Sequence, residues 1–128
     1  MHILLTGVTG YIAQRLLPAL LSKSCRVTCC VRDLDRFNDN YHNHPNLSAI
    51  VVDFLNDSIE LPHDIDVAFY FIHSMSKPTV DFHALEATCA QNFKLAVENT
   101  QAKQVIYLSG IVNEANLSPH LKSRLHVE

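Results

Sequence analysis

The feature that most constrains this fold is a glycine turn at residues 6–13 (TGVTGYIA), between the apolar run HILLT and the segment LPALL. Glycine allows position 7 a backbone conformation that a Cβ disfavours, and at position 10 it allows another group to approach the backbone closely. The free N–H groups of the first helical turn attract an anion. A strand, a glycine turn and a helix in this order are typical of dinucleotide-binding proteins, where they hold the pyrophosphate.

The glycine pair alone leaves another interpretation open, because strand-to-helix turns need glycine for steric reasons in many proteins that bind no ligand. The spacing is GxxGxxA, which differs from the GxGxxG of many dehydrogenases. Ala13 takes the place of the third glycine, and its small side chain still allows the helix to pack closely on the strand. A second strand after the helix, with a basic residue at its end, favours the binding interpretation.

The composition is that of a single globular domain: 128 residues, 48% hydrophobic and 18% charged. Since the net charge is −3 and the ten basic residues form no dense run, we expect no nucleic-acid partner. No apolar stretch approaches the roughly 18 residues of a membrane span. The four cysteines form no CxxC pair and no signal segment precedes the first strand, which predicts free thiols and a cytoplasmic location. The eight histidines are scattered, so no metal site is predicted.

Apolar runs alternate with helix-period segments along the chain. Strands are predicted at residues 2–6, 25–31, 47–53, 67–73 and 104–110, and helices from Gly10 to Leu21, from about 79 to 99, and opening near the end of the chain. Residues 33–46 are polar and rich in turn formers. Because strands that alternate with helices are joined by parallel crossovers, we expect an α/β fold, a doubly wound parallel sheet of Rossmann type with about five strands in the order 3-2-1-4-5.

Such sheets bind ligands at the carboxyl ends of their strands, near the switch between strands 1 and 4. Arg32 follows strand 2, where an acidic residue would take the ribose 2′-hydroxyl of NAD, so an arginine there favours a 2′-phosphate. Asp33 keeps the NAD alternative open. Arg32 could instead be a solvated charge paired with Asp33 or Asp35, and Arg36 could assist it.

Polar residues also close the other strands. Asp53 ends strand 3, where it could accept a hydrogen bond from an adenine amino group or cap the following turn. His73 and Ser74 end strand 4 on the nicotinamide-ribose side, although His73 could equally bond to local backbone. Ser109 ends strand 5, where a substrate carbonyl would lie, and serine is also common at such ends. The predicted cofactor-binding residues are Thr6, Gly7, Thr9, Gly10, Tyr11, Ile12, Arg32, Asp53, Phe54, Ile72, His73 and Ser74.

Six segments, TGVTGYIA, CCVRD, VVDFLND, YFIHSM, YLSG and SPHLKSR, together resemble the NAD(P)-binding domain of atypical short-chain dehydrogenase/reductases, and the NmrA-like group in particular. The resemblance covers essentially all 128 residues. It implies a Rossmann-type domain that uses NADP(H), with NAD possible. Residues 6–13 would then lie on the pyrophosphate, Arg32 on the 2′-phosphate and Asp53 near the adenine.

The resemblance implies a carbonyl or quinone-type oxidoreductase, but the residues for catalysis depart from the family pattern. Active members use a tyrosine as general acid, a lysine four residues later and a serine that orients the carbonyl. Ser109 matches the serine, whereas the YxxxK position aligns with HLKSR at residues 120–124. Histidine can donate a proton near neutral pH, but arginine cannot reproduce the geometry of the lysine. The predicted catalytic residues are therefore Ser109 and His120, and a non-catalytic module that senses or scaffolds is the alternative.

Full members of this family carry a sixth strand and a substrate-binding segment beyond this length. Residues 1–128 are therefore predicted to be one NAD(P)-binding domain, truncated or shortened at its C-terminal end. The exposed edge of strand 5 and the apolar Leu121, Leu125 and Val127 favour a further contact, such as a homodimer. The expected ligands are a dinucleotide and a small-molecule substrate that the sequence does not identify.

Overall fold

The computed structural model describes residues 1–37, 43–72 and 82–108. Its elements in chain order are β1 (His2–Leu5), α1 (Tyr11–Ser22), β2 (Arg26–Val31), a 3-10 turn (Leu34–Arg36), β3 (Leu47–Val51), β4 (Val67–Tyr70), α2 (Phe82–Glu98) and β5 (Gln104–Tyr107). The strands pair in parallel in the order β3-β2-β1-β4-β5. The predicted doubly wound fold and strand order are confirmed.

Successive side chains of the central strands fill two cores, one on each face of the sheet. Ile3 and Leu5 belong to the core that α1 covers, whereas Leu4 between them belongs to the core that α2 covers. All four residues of β1 are buried, which explains why this strand is a nearly continuous apolar run. The helix residues buried in these two cores are Ala13, Leu17, Leu20 and Leu21 from α1 and Cys89, Phe93 and Val97 from α2.

The amino ends of β1 and β2 are held by a buried histidine. His2 Nε2 lies 2.7 Å from the Thr28 hydroxyl, and Nδ1 lies 3.0 Å from a carboxylate oxygen of Asp64. The backbone N–H of His2 donates to Asp66 at 2.7 Å. Both ring nitrogens therefore have partners, as a buried polar group requires, and the loop before β4 is fixed to the start of β1.

Four strands end earlier than the sequence predicts, the first of them at Leu5 instead of residue 6. β3 ends at Val51 and β4 at Tyr70, instead of residues 53 and 73. At β4 the reason is visible, since the N–H of Phe71 donates to the Thr6 hydroxyl at 3.0 Å. Leu108 does not continue β5 beyond Tyr107. The predicted strand residues 73, 109 and 110, and the predicted start of the second helix at 79–81, lie outside the described residues.

The Thr6 side chain joins the carboxyl ends of β1 and β4. Its hydroxyl is fully buried, donates to the carbonyl of Phe69 at 2.9 Å, and accepts the N–H of Phe71. A side chain thus replaces a backbone partner where the two strands separate. This separation opens the crevice at the carboxyl edge of the sheet.

We expect Thr6→Val to lower the free energy of unfolding by about 1–3 kcal/mol, because it leaves the Phe71 N–H without its acceptor. Urea unfolding measures this loss, and amide hydrogen exchange locates it. Thr6→Ser is the matched control, since it keeps the hydroxyl, and in that variant the Phe71 amide stays protected. Protection of this amide in the valine variant would contradict the role given to Thr6.

Candidate functional site

A cavity of about 370 Å³ lies at the carboxyl ends of β1, β2, β3 and β4. Doubly wound sheets bind their ligands at this edge. The residues that line the cavity from the sheet side are Gly7, Val8, Thr9, Gly10, Cys30, Val31, Arg32, Asp33, Arg36, Val52, Asp53, Phe54, Leu55, Phe71 and Ile72. Leu85 and Cys89 of α2 close it on one face of the sheet.

The two glycines of the turn differ in what the protein itself requires of them. Gly7 has φ +64°, and a Cβ there would lie 2.2 Å from the Phe71 carbonyl oxygen, so the fold demands glycine at this position. Gly10 has φ −81°, which any residue adopts, and a Cβ there would lie 3.1 Å from the Gly7 carbonyl oxygen. Steric demands of the fold therefore explain fully why position 7 is glycine. At position 10 they amount to one tight contact, so the fold alone does not require glycine there.

Helix α1 begins beside the cavity with an open N-terminus. Gly10 is its N-cap and offers no side-chain hydrogen bond, and the first turn holds no acidic residue. The Gly10 N–H donates to Gly7 at 2.9 Å, but those of Tyr11, Ile12 and Ala13 find no acceptor among the residues that the structure describes. Unpaired N–H groups at the positive end of a helix form a site for an anion.

Two arginines line the cavity beyond the end of β2. Arg32 is exposed and makes no ion pair with any described residue, so the predicted pairing with Asp33 or Asp35 is not seen. Arg36 lies one turn further along, with its Nε 3.9 Å from Asp33 Oδ2. This end of the cavity therefore presents two guanidinium groups, one of which is without a carboxylate partner in the described chain.

Asp53 caps the turn that follows β3, which is one of the two roles that the sequence predicts for it. Its Oδ1 accepts the N–H of Leu55 at 3.0 Å, and the residue also lines the cavity. The next residue, Phe54, is buried edge-to-face against Phe93, with ring centroids 5.7 Å apart. Asn92 of α2 donates to the Phe54 carbonyl at 2.8 Å. The wall after β3 is thus fixed to α2.

Three predicted cofactor residues do not line the cavity with their side chains. The Thr6 hydroxyl is committed to β4, as described above. Tyr11 and Ile12 are 67% and 45% exposed, and the Tyr11 ring carries the Arg15 guanidinium 4.3 Å from its centroid. Neither of these two residues lines the cavity, and both keep a backbone N–H without an acceptor among the described residues. His73, Ser74, Ser109 and His120 lie outside the described residues, and their roles stay predictions.

Sequence reasoning did not assign the α2 residues to the site. Leu85 and Cys89 are four residues apart on the buried side of the helix, and this spacing could have placed them together. Cys30 lies on the same face of the sheet as Cys89, opposite to Cys29. Burial raises the pKa of the Cys30 thiol to about 12, with a smaller contribution from Cys29. Cys30 is therefore a neutral part of the wall and not a nucleophile.

Two other classes of site are absent from the described ranges. No helix there is both long and apolar enough to cross a membrane. Across the same ranges, no three side chains of His, Cys, Asp or Glu come together as a metal ion would require.

No family model matches this chain, and no curated protein matches it in sequence. Solved structures match it in fold. A UDP-galactose 4-epimerase superposes with a TM-score of 0.76 and 18% identity, over 100% of this chain and 49% of that one. The yeast methylglyoxal/isovaleraldehyde reductase Gre2, complexed with NADPH, gives 0.67 and 17%, over 85% and 37%. The dTDP-glucose 4,6-dehydratase of Bacillus anthracis, complexed with NAD, gives 0.73 and 18%, over 99% and 48%.

At such low sequence identity, the superpositions show a shared fold alone. The chain spans less than half the length of each of these proteins, between 37% and 49%.

Proposed function

We propose that this chain binds a nicotinamide dinucleotide in the cavity at the carboxyl edge of its sheet, NADP(H) in preference to NAD(H). It would act as the cofactor-binding domain of an atypical, NmrA-like short-chain dehydrogenase/reductase that acts on a carbonyl or quinone-type substrate. The observation that carries the proposal is the meeting of an open helix N-terminus, a glycine turn and two arginines in one cavity. Two proteins of the same fold, complexed with NADPH and NAD, support this class of ligand.

The open end of α1 fits the pyrophosphate. The N–H groups of Tyr11, Ile12 and Ala13 would donate to its oxygens, because no described residue accepts them. Gly10 leaves room for this approach, since its side of the turn faces the cavity without a side chain. An anion at a helix N-terminus gains about 0.3–1 kcal/mol from the helix dipole alone when the site is exposed.

Arg32 fits the 2′-phosphate that distinguishes NADP from NAD. A charge-assisted hydrogen bond contributes about 1.5–3 kcal/mol, which corresponds to roughly a tenfold to hundredfold preference. Asp53 would lie near the adenine and accept a hydrogen bond from its amino group, in addition to capping its turn. When bound, the nicotinamide supplies a hydride. Ser109 would orient the substrate carbonyl and His120 would donate a proton to it.

A non-catalytic module that senses or scaffolds is the second candidate, and the segment HLKSR favours it because it holds neither the tyrosine nor the lysine of active relatives. Oxidation of NADPH with a panel of carbonyl and quinone substrates, lost on Ser109→Ala, supports the enzyme. Binding without oxidation supports the module. Cys25, Cys29, Cys30 and Cys89 are free thiols, which supports a reducing, cytoplasmic setting for either function.

Arg32→Ala is expected to weaken NADPH binding by roughly tenfold or more and to leave NADH binding nearly unchanged. Calorimetric titration of the chain with both dinucleotides measures the two affinities. Lys103→Ala is the control, because it removes a cation just before β5, at the opposite edge of the sheet. Equal losses of affinity for NADPH and NADH would contradict the proposed contact between Arg32 and the 2′-phosphate.

Gly10→Val is expected to abolish the binding of both dinucleotides, since its side chain would occupy the space next to the α1 amides. The backbone angle at Gly10 suits valine, so the variant should fold with at most a small shift against the Gly7 carbonyl. Circular dichroism and thermal unfolding check that it does. A folded valine variant with unchanged affinity would refute the proposed pyrophosphate site.

A further inference from the structure

The Asp33 side chain has two contacts in the short turn after β2, and they use different carboxylate oxygens. Its Oδ1 accepts the N–H of Asp35 at 2.9 Å, which caps the turn Leu34–Arg36. Its Oδ2 lies 3.9 Å from Nε of Arg36, and its backbone carbonyl accepts the Arg36 N–H at 3.2 Å. Asp33 therefore caps the start of the turn and also contacts the guanidinium of Arg36 at the end of the turn.

The turn returns Arg36 to the cavity. Arg32, Asp33 and Arg36 line the same wall, although Arg36 is four residues beyond Arg32 along the chain. A three-residue 3-10 turn has little stability of its own, and no residue of this one is buried. Among the described residues, the cap from Asp33 is the only side-chain hydrogen bond within this turn, so the position of Arg36 depends on it.

The ion pair between Asp33 and Arg36 is weak enough to be exchanged. The two side chains are 53% and 78% exposed, and a pair of exposed charges at this distance contributes little. A phosphate monoester carries about −1.5 to −2 charges at neutral pH and attracts a guanidinium more strongly than one carboxylate does. Arg36 can therefore turn from Asp33 to a phosphate without a large loss.

We propose, on the basis of the proposed function, that Asp33 is a positioning residue for cofactor selection. By capping the turn it holds Arg36 at the cavity as a second guanidinium for the 2′-phosphate, beside Arg32. An aspartate after β2 would take the 2′-hydroxyl in an NAD site, but here one of its oxygens is committed to the cap. The same residue that suggests NAD in the sequence thus supports NADP(H) binding.

The test compares Asp33→Asn with Asp33→Ala, by calorimetric titration with NADPH and NADH. Both variants remove the charge, but asparagine keeps an oxygen that can cap the turn. We expect the asparagine variant to bind NADPH about fivefold more tightly than the alanine variant, as loss of a cap predicts. The affinity for NADH should be the same in both. Asp35→Asn is the control, since it removes a neighbouring charge and leaves the cap in place.

To separate a positioning role of Asp33 from a general structural role, the two Asp33 variants are compared again in a chain that also carries Arg36→Ala. The difference between asparagine and alanine should then disappear, because the turn no longer carries a guanidinium. Equal NADPH affinities of the two Asp33 variants, or a difference that persists without Arg36, would overturn the inference while the proposed function stands. Failure of the unmodified chain to bind either dinucleotide would instead overturn the proposed function, and this inference with it.

Discussion

The chain turns after β1 where it does because Gly7 lies directly against the carbonyl of Phe71, closer than any Cβ would allow. The Thr6 hydroxyl fixes the same junction from the other side, by bonding to the backbone of Phe69 and Phe71. This junction sets the direction in which α1 leaves the sheet. It thereby determines where the open N–H groups of α1 lie relative to the ends of β2 and β3, and the cavity depends on that arrangement.

The cavity combines the partial charge of fixed backbone N–H groups with the charge of exposed arginine side chains. The N–H groups at the start of α1 are held rigidly, since the helix packs through Leu17 and Leu21 on the sheet. Arg32 and Arg36 are exposed and can adjust to a ligand. A rigid site for one anion and an adaptable site for another, on neighbouring strands, would suit a ligand with two separated phosphate groups. The side chains of Cys30 and Cys89 add further surface between the strands and α2.

The strand order and most of the cavity could be predicted from the sequence, because alternating apolar and helix-period segments leave few parallel topologies. Gly7, Gly10, Arg32 and Asp53 lie at the predicted edge for the same reason. The orientation of Thr6 could not be predicted, since its partners are more than sixty residues away in the chain. The commitment of Asp33 to a cap depends on a turn that a polar segment does not specify. Strand ends were also missed, because apolar residues continue past the point where the strands separate.

Backbone amide spectra of the ¹⁵N-labelled chain during titration with NADPH test the proposed site most directly. Binding at the open end of α1 predicts that the amide signals of Tyr11, Ile12 and Ala13 shift together, along with those of Arg32 and Asp53. Amides near Gln104 and Val105, at the other edge of the sheet, should stay in place. Shifts confined to α2 and β5, or no shift at saturating NADPH, would contradict a dinucleotide site at the carboxyl ends of the strands.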